Sequence, residues 1–170
     1  MNIDEAHDRT SPSAPDRPSR TSIMKNTLLL VALAIYPSAC ASTPPLRPAV
    51  ETHLQAVRTR NLDALLPTIT GGSDLRMIAP SGFQSTTRAQ YVDFHRQWFA
   101  SNDNGVFDPE IVHLVESPRL GHALIKLRYR ARAPTGAVQD TVSWLALTFA
   151  LEDGGWRLVF DQSTLIQPSP

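Results

Sequence analysis

The hydrophobic pattern divides this chain into three stretches. One greasy run, Thr27 to Tyr36 (TLLLVALAIY), stands between Lys25 and Pro37. Apolar residues then recur at helical spacing from Val50 to Phe99, and from Glu110 onward they alternate with polar ones. Val50, Leu54 and Val57 share one face of a helix predicted to open at Pro48 and run to about Arg60. Proline suits a first turn because the N–H it lacks would have no partner there. Asn61 is the expected N-cap of a short second helix carrying Leu62, Leu65 and Leu66. Pro67 and Gly71-Gly72 close that region. Asp74 to Pro80 reads as a short strand that turns at Ser81-Gly82 and returns through Phe83. Thr87 with Gln90 forms a capping box that opens a helix to about Ser101. Tyr91, Phe94, Trp98 and Phe99 make its apolar face, and Asn102-Asp103-Asn104-Gly105 ends it.

Four strands follow, over 110–116, 122–132, 139–151 and 156–166. Pro118-Arg119-Leu120-Gly121, Pro134-Thr135-Gly136 and Asp153-Gly154-Gly155 separate them, which predicts an antiparallel meander. Helices first and strands after place the domain in the α+β class. Alternation assigns the faces. Ala123, Ile125, Leu127, Tyr129 and Ala131 make an apolar face, and His122, Lys126, Arg128, Arg130 and Arg132 a basic one. The next strand is apolar on both sides, with Leu145, Leu147 and Phe149 backed by Trp144, Ala146 and Ala150. Such a strand needs cover on both faces. Helices supply one, and a second copy in a homodimer is expected to supply the other, a covering loop being the alternative. On the last strand, alternation puts Trp156, Leu158, Phe160 and Gln162 inside. It puts Asp161 outside with Arg157, to pair with the basic ladder. His113, in step with Ile111 and Val115, is expected inside, as is His95 beside the Tyr91–Trp98 stripe. His53 and His122 are expected at the surface.

Charge narrows the function. Acids and bases number 16 each, so no basic excess is available to neutralise phosphates, and nucleic acid is not an expected partner. The histidines show no ligand spacing with a carboxylate, so neither a metal nor another cofactor is expected. A serine nucleophile elbow, a phosphate loop and paired catalytic carboxylates are all missing.

Cys40 is the only cysteine, so no internal disulfide can form. The run before it is about ten residues long, the length of a signal h-region, where a membrane span needs roughly 20. Pro37 would also stop a helix. A basic residue, an apolar run, small residues and cysteine together are similar to a bacterial lipoprotein signal, in which the thiol is joined to diacylglycerol before cleavage. Pro37 departs from the aliphatic residue usual there. The alternative is a plain secretory signal cut near Ala39 or Ala41. The resemblance implies a lipid-anchored protein of the cell envelope facing the periplasm, with Ala41 favouring the outer membrane. Residues 1–23 carry four acids, three arginines and three prolines, a composition that does not fold. They are expected to be an extension before the true start at Met24. Residues 24–39 are then the signal, 40–48 a tether and 49–167 the folded domain.

That domain resembles the nuclear transport factor 2-like group that includes the SnoaL-like proteins. Arg60 to Leu66 (RNLDALL), the short strand at Asp74–Pro80, Tyr91-Val92-Asp93-Phe94 and Gly154 to Ser163 (GGWRLVFDQS) carry the resemblance, which covers about residues 47–167. It implies a strongly bent sheet wrapped around helices into a cone with a pocket at its open end. Some members are isomerases, cyclases or dehydratases using a carboxylate or histidine, and others bind ligands or mediate assembly. Asp161 falls near the place where some enzymatic relatives keep an acid, and Gln162 where many keep a histidine. The first expectation is a cone that binds a small apolar ligand or a protein partner, lined by Tyr91, Trp98, Trp144 and Gln162. The second is an enzyme with His113 or His95 as base and Asp161 or Tyr91 as helper.

Overall fold

Helix α1 (Leu46–Arg58) begins two residues before the expected start, and the reason lies 70 residues away. Its N-cap, Pro45, has no side-chain oxygen to offer. The carboxylate of Glu116 instead accepts the Leu46 N–H at 3.0 Å, an anion at the positive end of the helix. Pro48 sits inside the first turn, where it breaks no bond. The chain just before α1 is also tied down, because the Trp156 indole N–H donates to the Pro44 carbonyl at 2.7 Å. The computed structural model describes residues 43–101, 104–132 and 136–166. Cys40, the signal segment, Asn102, Asp103, Pro134 and Thr135 lie outside them.

Asn61 caps α2 (Leu62–Leu65) as expected, its Oδ1 accepting the Ala64 N–H at 2.9 Å. A 3₁₀ turn over Leu66–Thr68 leads to β1 (Arg76–Ile78) and β2 (Gln84–Ser85). In α3 (Arg88–Phe99) only half of the predicted capping box forms. Thr87 Oγ1 accepts the Gln90 N–H, while Gln90 Oε1 reaches the Thr86 N–H.

The meander of β3 (Val106–Glu116), β4 (Leu120–Arg132), β5 (Val138–Glu152) and β6 (Gly155–Leu165) is antiparallel throughout. β1 joins it alongside β6 in parallel, giving a six-stranded sheet in the order β2-β1-β6-β5-β4-β3. The concave face carries Ala123, Ile125, Leu147, Phe149, Trp156 and Leu158, all buried. Leu46, Val50, Leu54 and Val57 of α1 pack into it. A fully buried side chain of this size contributes about 1.5–3 kcal/mol. The backbone of Gly121 lies so near Leu46 that an added Cβ would stand 2.5 Å from Leu46 Cδ2, so α1 meets β4 without a side chain between them.

Two β-bulges break the strict alternation of the sheet. In β3, Ile111 faces Ile125 and His113 faces Leu124, leaving Val112 without a register partner. In β6, Leu158 faces Phe149 and Phe160 faces Thr148, leaving Val159 over. Each extra residue exchanges inside and outside for everything after it. The β6 bulge lies where that strand changes neighbours. The Leu158 carbonyl accepts the Thr70 N–H at 2.9 Å, and from Phe160 onward β6 pairs with β1 instead.

Candidate functional site

Between α1, α3 and the concave face of the sheet the domain encloses a cavity of about 400 Å³. Most of its wall is apolar, from Leu54 and Val57 on α1 and Phe94 and Trp98 on α3 to Leu127 and Leu145 on the sheet. His53, His95, Tyr129, Ser143, Asp161 and Ser163 add polar groups. No lysine or arginine is among the described residues that line it.

Asp161 reaches this cavity because of the β6 bulge. The expected parity put it outside, paired with arginine. In the structure it lies opposite Leu147 and next to Met77 on the concave face and is 8 % exposed. Among the described residues none hydrogen-bonds or ion-pairs with its carboxyl. Burial therefore goes uncompensated and pushes its pKa up to about 7. Tyr91 stands beside it on α3, wholly buried, its hydroxyl without a partner among the described residues. Burial first, and then the Asp161 charge, raise the Tyr91 phenol well above its ordinary pKa.

Two imidazoles share the cavity, and their hydrogen bonds fix their tautomers. Thr68 Oγ1 spends its proton on the Leu65 carbonyl at 2.7 Å, so at 2.8 Å from His53 Nδ1 it can only accept. His53 Nδ1 therefore carries the hydrogen. His95 Nδ1 lies 2.9 Å from the Tyr91 carbonyl, a group that only accepts, so it too carries the hydrogen. Both Nε2 atoms are left as acceptors. Among the described residues neither has a hydrogen-bond partner, and both histidines line the cavity. Burial holds both rings neutral. The His53 pKa falls to about 3, lowered further by His95, and the His95 pKa falls to about 4 against a smaller opposing effect of its backbone bond. Among the described residues no three His, Cys, Asp or Glu side chains come close enough together to hold one metal ion.

A bent sheet wrapped around helices into a cone with a pocket is what the family resemblance implied, and the sequence match agrees. A family model described as a SnoaL-like domain matches residues 47–166. This chain belongs to the SnoaL-like family. Solved structures share the fold. A ketosteroid isomerase-like protein from Erwinia carotovora atroseptica superposes with a TM-score of 0.62 at 17% identity, over 72% of this chain and 95% of that one. A dehydratase-like member of the nuclear transport factor 2-like family from Streptomyces avermitilis gives 0.62 at 12%, over 72% and 95%. A nuclear transport factor 2-like superfamily protein from Salmonella enterica gives 0.61 at 12%, over 72% and 89%. No curated protein matches the chain in sequence.

Within the SnoaL-like domain, several sequence expectations change place. His95 and Trp98 line the cavity, while Tyr91, expected there, is buried in the core and is not among its lining residues. His113 does not line it either. The β3 bulge turns it to the outer face, where it is exposed. Gln162 moves out by the same mechanism on β6, opposite Ala146, and Phe160 moves with it. Trp144 is 39 % exposed on the outer face, where it faces Lys126 on one side and Thr164 on the other. The basic ladder is matched by acids on neighbouring strands. Arg128 Nε donates to Asp140 at 2.9 Å, and Glu110 faces Lys126. His122 is half-buried there, its Nδ1 3.2 Å from Thr148 Oγ1. His53, expected at the surface, is 2 % exposed. A signal for it existed, since position 53 follows Val50 by three and precedes Val57 by four, on the buried face of α1. The pair Ser143 and Ser163, with oxygens 3.2 Å apart, was also missed. Small hydroxyls on a strand carry no distinguishing pattern.

Proposed function

We propose that this chain is a lipid-anchored protein of the cell envelope whose cone binds a small, largely apolar molecule bearing one polar group, which Asp161 meets. One observation carries this reading. A carboxyl without a partner among the described residues faces an open apolar cavity, and an uncompensated buried polar group is costly unless a ligand or water supplies the missing bonds. Nile red, a neutral apolar dye, should therefore bind the full chain and gain fluorescence. Ser143→Phe, which extends a ring into the cavity, should abolish that gain without altering the far-UV circular dichroism. Equal binding by the variant would remove the cavity as the site. The anchor is tested by the intact mass of membrane-extracted protein. It should correspond to a chain starting at Cys40 with acyl groups attached, and an unmodified thiol there would exclude it.

A second reading follows from Asp161 itself. A carboxyl with a pKa of about 7 gives and takes protons with equal ease at neutral pH. Beside an apolar ligand carbonyl it would move a proton on the adjacent carbon, as in an isomerase or dehydratase. The solved relatives whose names mention a ketosteroid isomerase and a dehydratase favour this class. Deuterium uptake from D2O into a β,γ-unsaturated ketone, lost in Asp161→Asn, is the expected result. Exchange that persists in the variant would rule Asp161 out as the base.

The outer face of the sheet is, on this proposal, covered by a second copy. Trp144, Val112 and Val115 are exposed on the described surface at 39 %, 48 % and 51 %, and apolar groups exposed on this scale commonly mark an interface.

A further inference from the structure

Three acceptors at the cavity have no donor among the described residues. His53 Nε2 and His95 Nε2 are both acceptors, because each ring's hydrogen is spent at Nδ1 on Thr68 and on the Tyr91 carbonyl. The Asp161 carboxylate is a third acceptor, without a donor among the described residues. Among the described residues no lysine or arginine lines the cavity to answer them, and Arg60, whose guanidinium lies 5.9 Å from the centre of the Trp98 ring, donates to the Ser101 carbonyl outside it. Among the described residues no three such groups come together to hold one metal ion. Aromatic rings stand around the same space, with Trp98 at 5.9 Å from Tyr129, 6.1 Å from Phe107 and 6.4 Å from Phe94.

We propose that the ligand of this cavity is a small amine, whose protonated nitrogen donates to Asp161 and to the Nε2 of His95 while its apolar body lies against the aromatic wall. An ammonium group brings up to three N–H donors and no acceptor, which suits the acceptors Asp161 and His95 Nε2. A hydroxyl brings one donor and two further lone pairs. A carboxylate brings only acceptors and would meet Asp161 with like charge. The positive charge also suits the faces of Trp98 and Tyr129, since a cation within about 6 Å of an aromatic centroid is attracted to it. The inference rests on the cavity being a ligand site, as proposed above, and adds the chemistry of the ligand's head.

Three probes of one length separate the possibilities. The full chain at pH 8 is titrated calorimetrically with n-hexylamine, 1-hexanol and hexanoate. Hexylamine should bind at least tenfold more tightly than hexanol, and hexanoate should show no binding. Asp161→Asn should bring hexylamine to the level of hexanol. His95→Phe, which removes one acceptor and no charge, should weaken hexylamine severalfold and leave hexanol unchanged. Hexanol binding as tightly as hexylamine, or hexanoate binding best, would overturn the amine assignment while leaving the cavity as a ligand site. Failure of all three probes, together with failure of Nile red, would remove both readings. An amine preference that survives Asp161→Asn would also overturn it, by placing the amine elsewhere.

Discussion

Replacing Asp161 by asparagine should stabilise the domain, and the gain should grow with pH. The carboxyl changes from an ordinary pKa of 3.8 to about 7 on folding because burial disfavours its charge. The folded state therefore holds this proton more tightly than the unfolded chain. The stability it contributes is complete below pH 3.8 and is lost as pH rises through about 7. At about 1.4 kcal/mol per pH unit, the whole loss has a ceiling of about 4 kcal/mol. Asparagine has nearly the same shape and no charge to lose. Urea unfolding of both proteins at pH 5 and pH 8 should show the variant's advantage widening by about 2–3 kcal/mol between those values. Titration of His53 and His95 occurs in both proteins and largely cancels in the difference. An advantage that stays flat with pH would mean that the Asp161 carboxyl is not desolvated when folded, and the reasoning about the cavity would fail with it.

In the Asp161→Asn background the acid side belongs to the histidines. Their folded pKa values of about 3 and about 4 lie below the ordinary 6.5, so stability should fall as pH drops below 6.5, with a slope approaching two protons in urea melts; a slope near zero would contradict their burial as neutral rings. Thr68→Val should cost about 1–3 kcal/mol in the same assay, because it leaves the buried His53 Nδ1–H without an acceptor. An added Cβ at Gly105 would lie 2.1 Å from Tyr129 Oη, so Gly105→Ala should displace that ring and break its 3.2 Å bond from the Trp98 indole. The expected cost is about 1–3 kcal/mol with reduced Nile red fluorescence, and unchanged fluorescence would show that Tyr129 does not shape the cavity. Trp144→Lys should convert a sedimenting dimer to a monomer, and identical sedimentation of both proteins would exclude that face as the contact.

Sequence alone determined the elements and their order. Helical spacing in Val50, Leu54 and Val57, the Asn61 cap and the turn clusters between the strands are local signals, set by which side chains one segment can bury and which backbone groups it can cap. The α+β class followed from that order, and the family's cone from the motifs at residues 60–66, 74–80, 91–94 and 154–163. The site was legible only in part. His95 and Trp98 kept their predicted faces because an extra residue enters a helix only as a rare π-bulge, and α3 is a continuous α-helix. His113, Asp161 and Gln162 changed faces because a strand absorbs one extra residue at little cost, and nothing in residues 112 or 159 marks where it does so. The bond from Thr70 to the Leu158 carbonyl and the docking of β1 beside β6 accompany the bulge at the end of the meander. Those contacts join segments about 90 residues apart. Tertiary structure therefore decided which carboxyl faces the cavity and which histidines meet it there, because the parity of a strand is settled by its neighbours across the sheet.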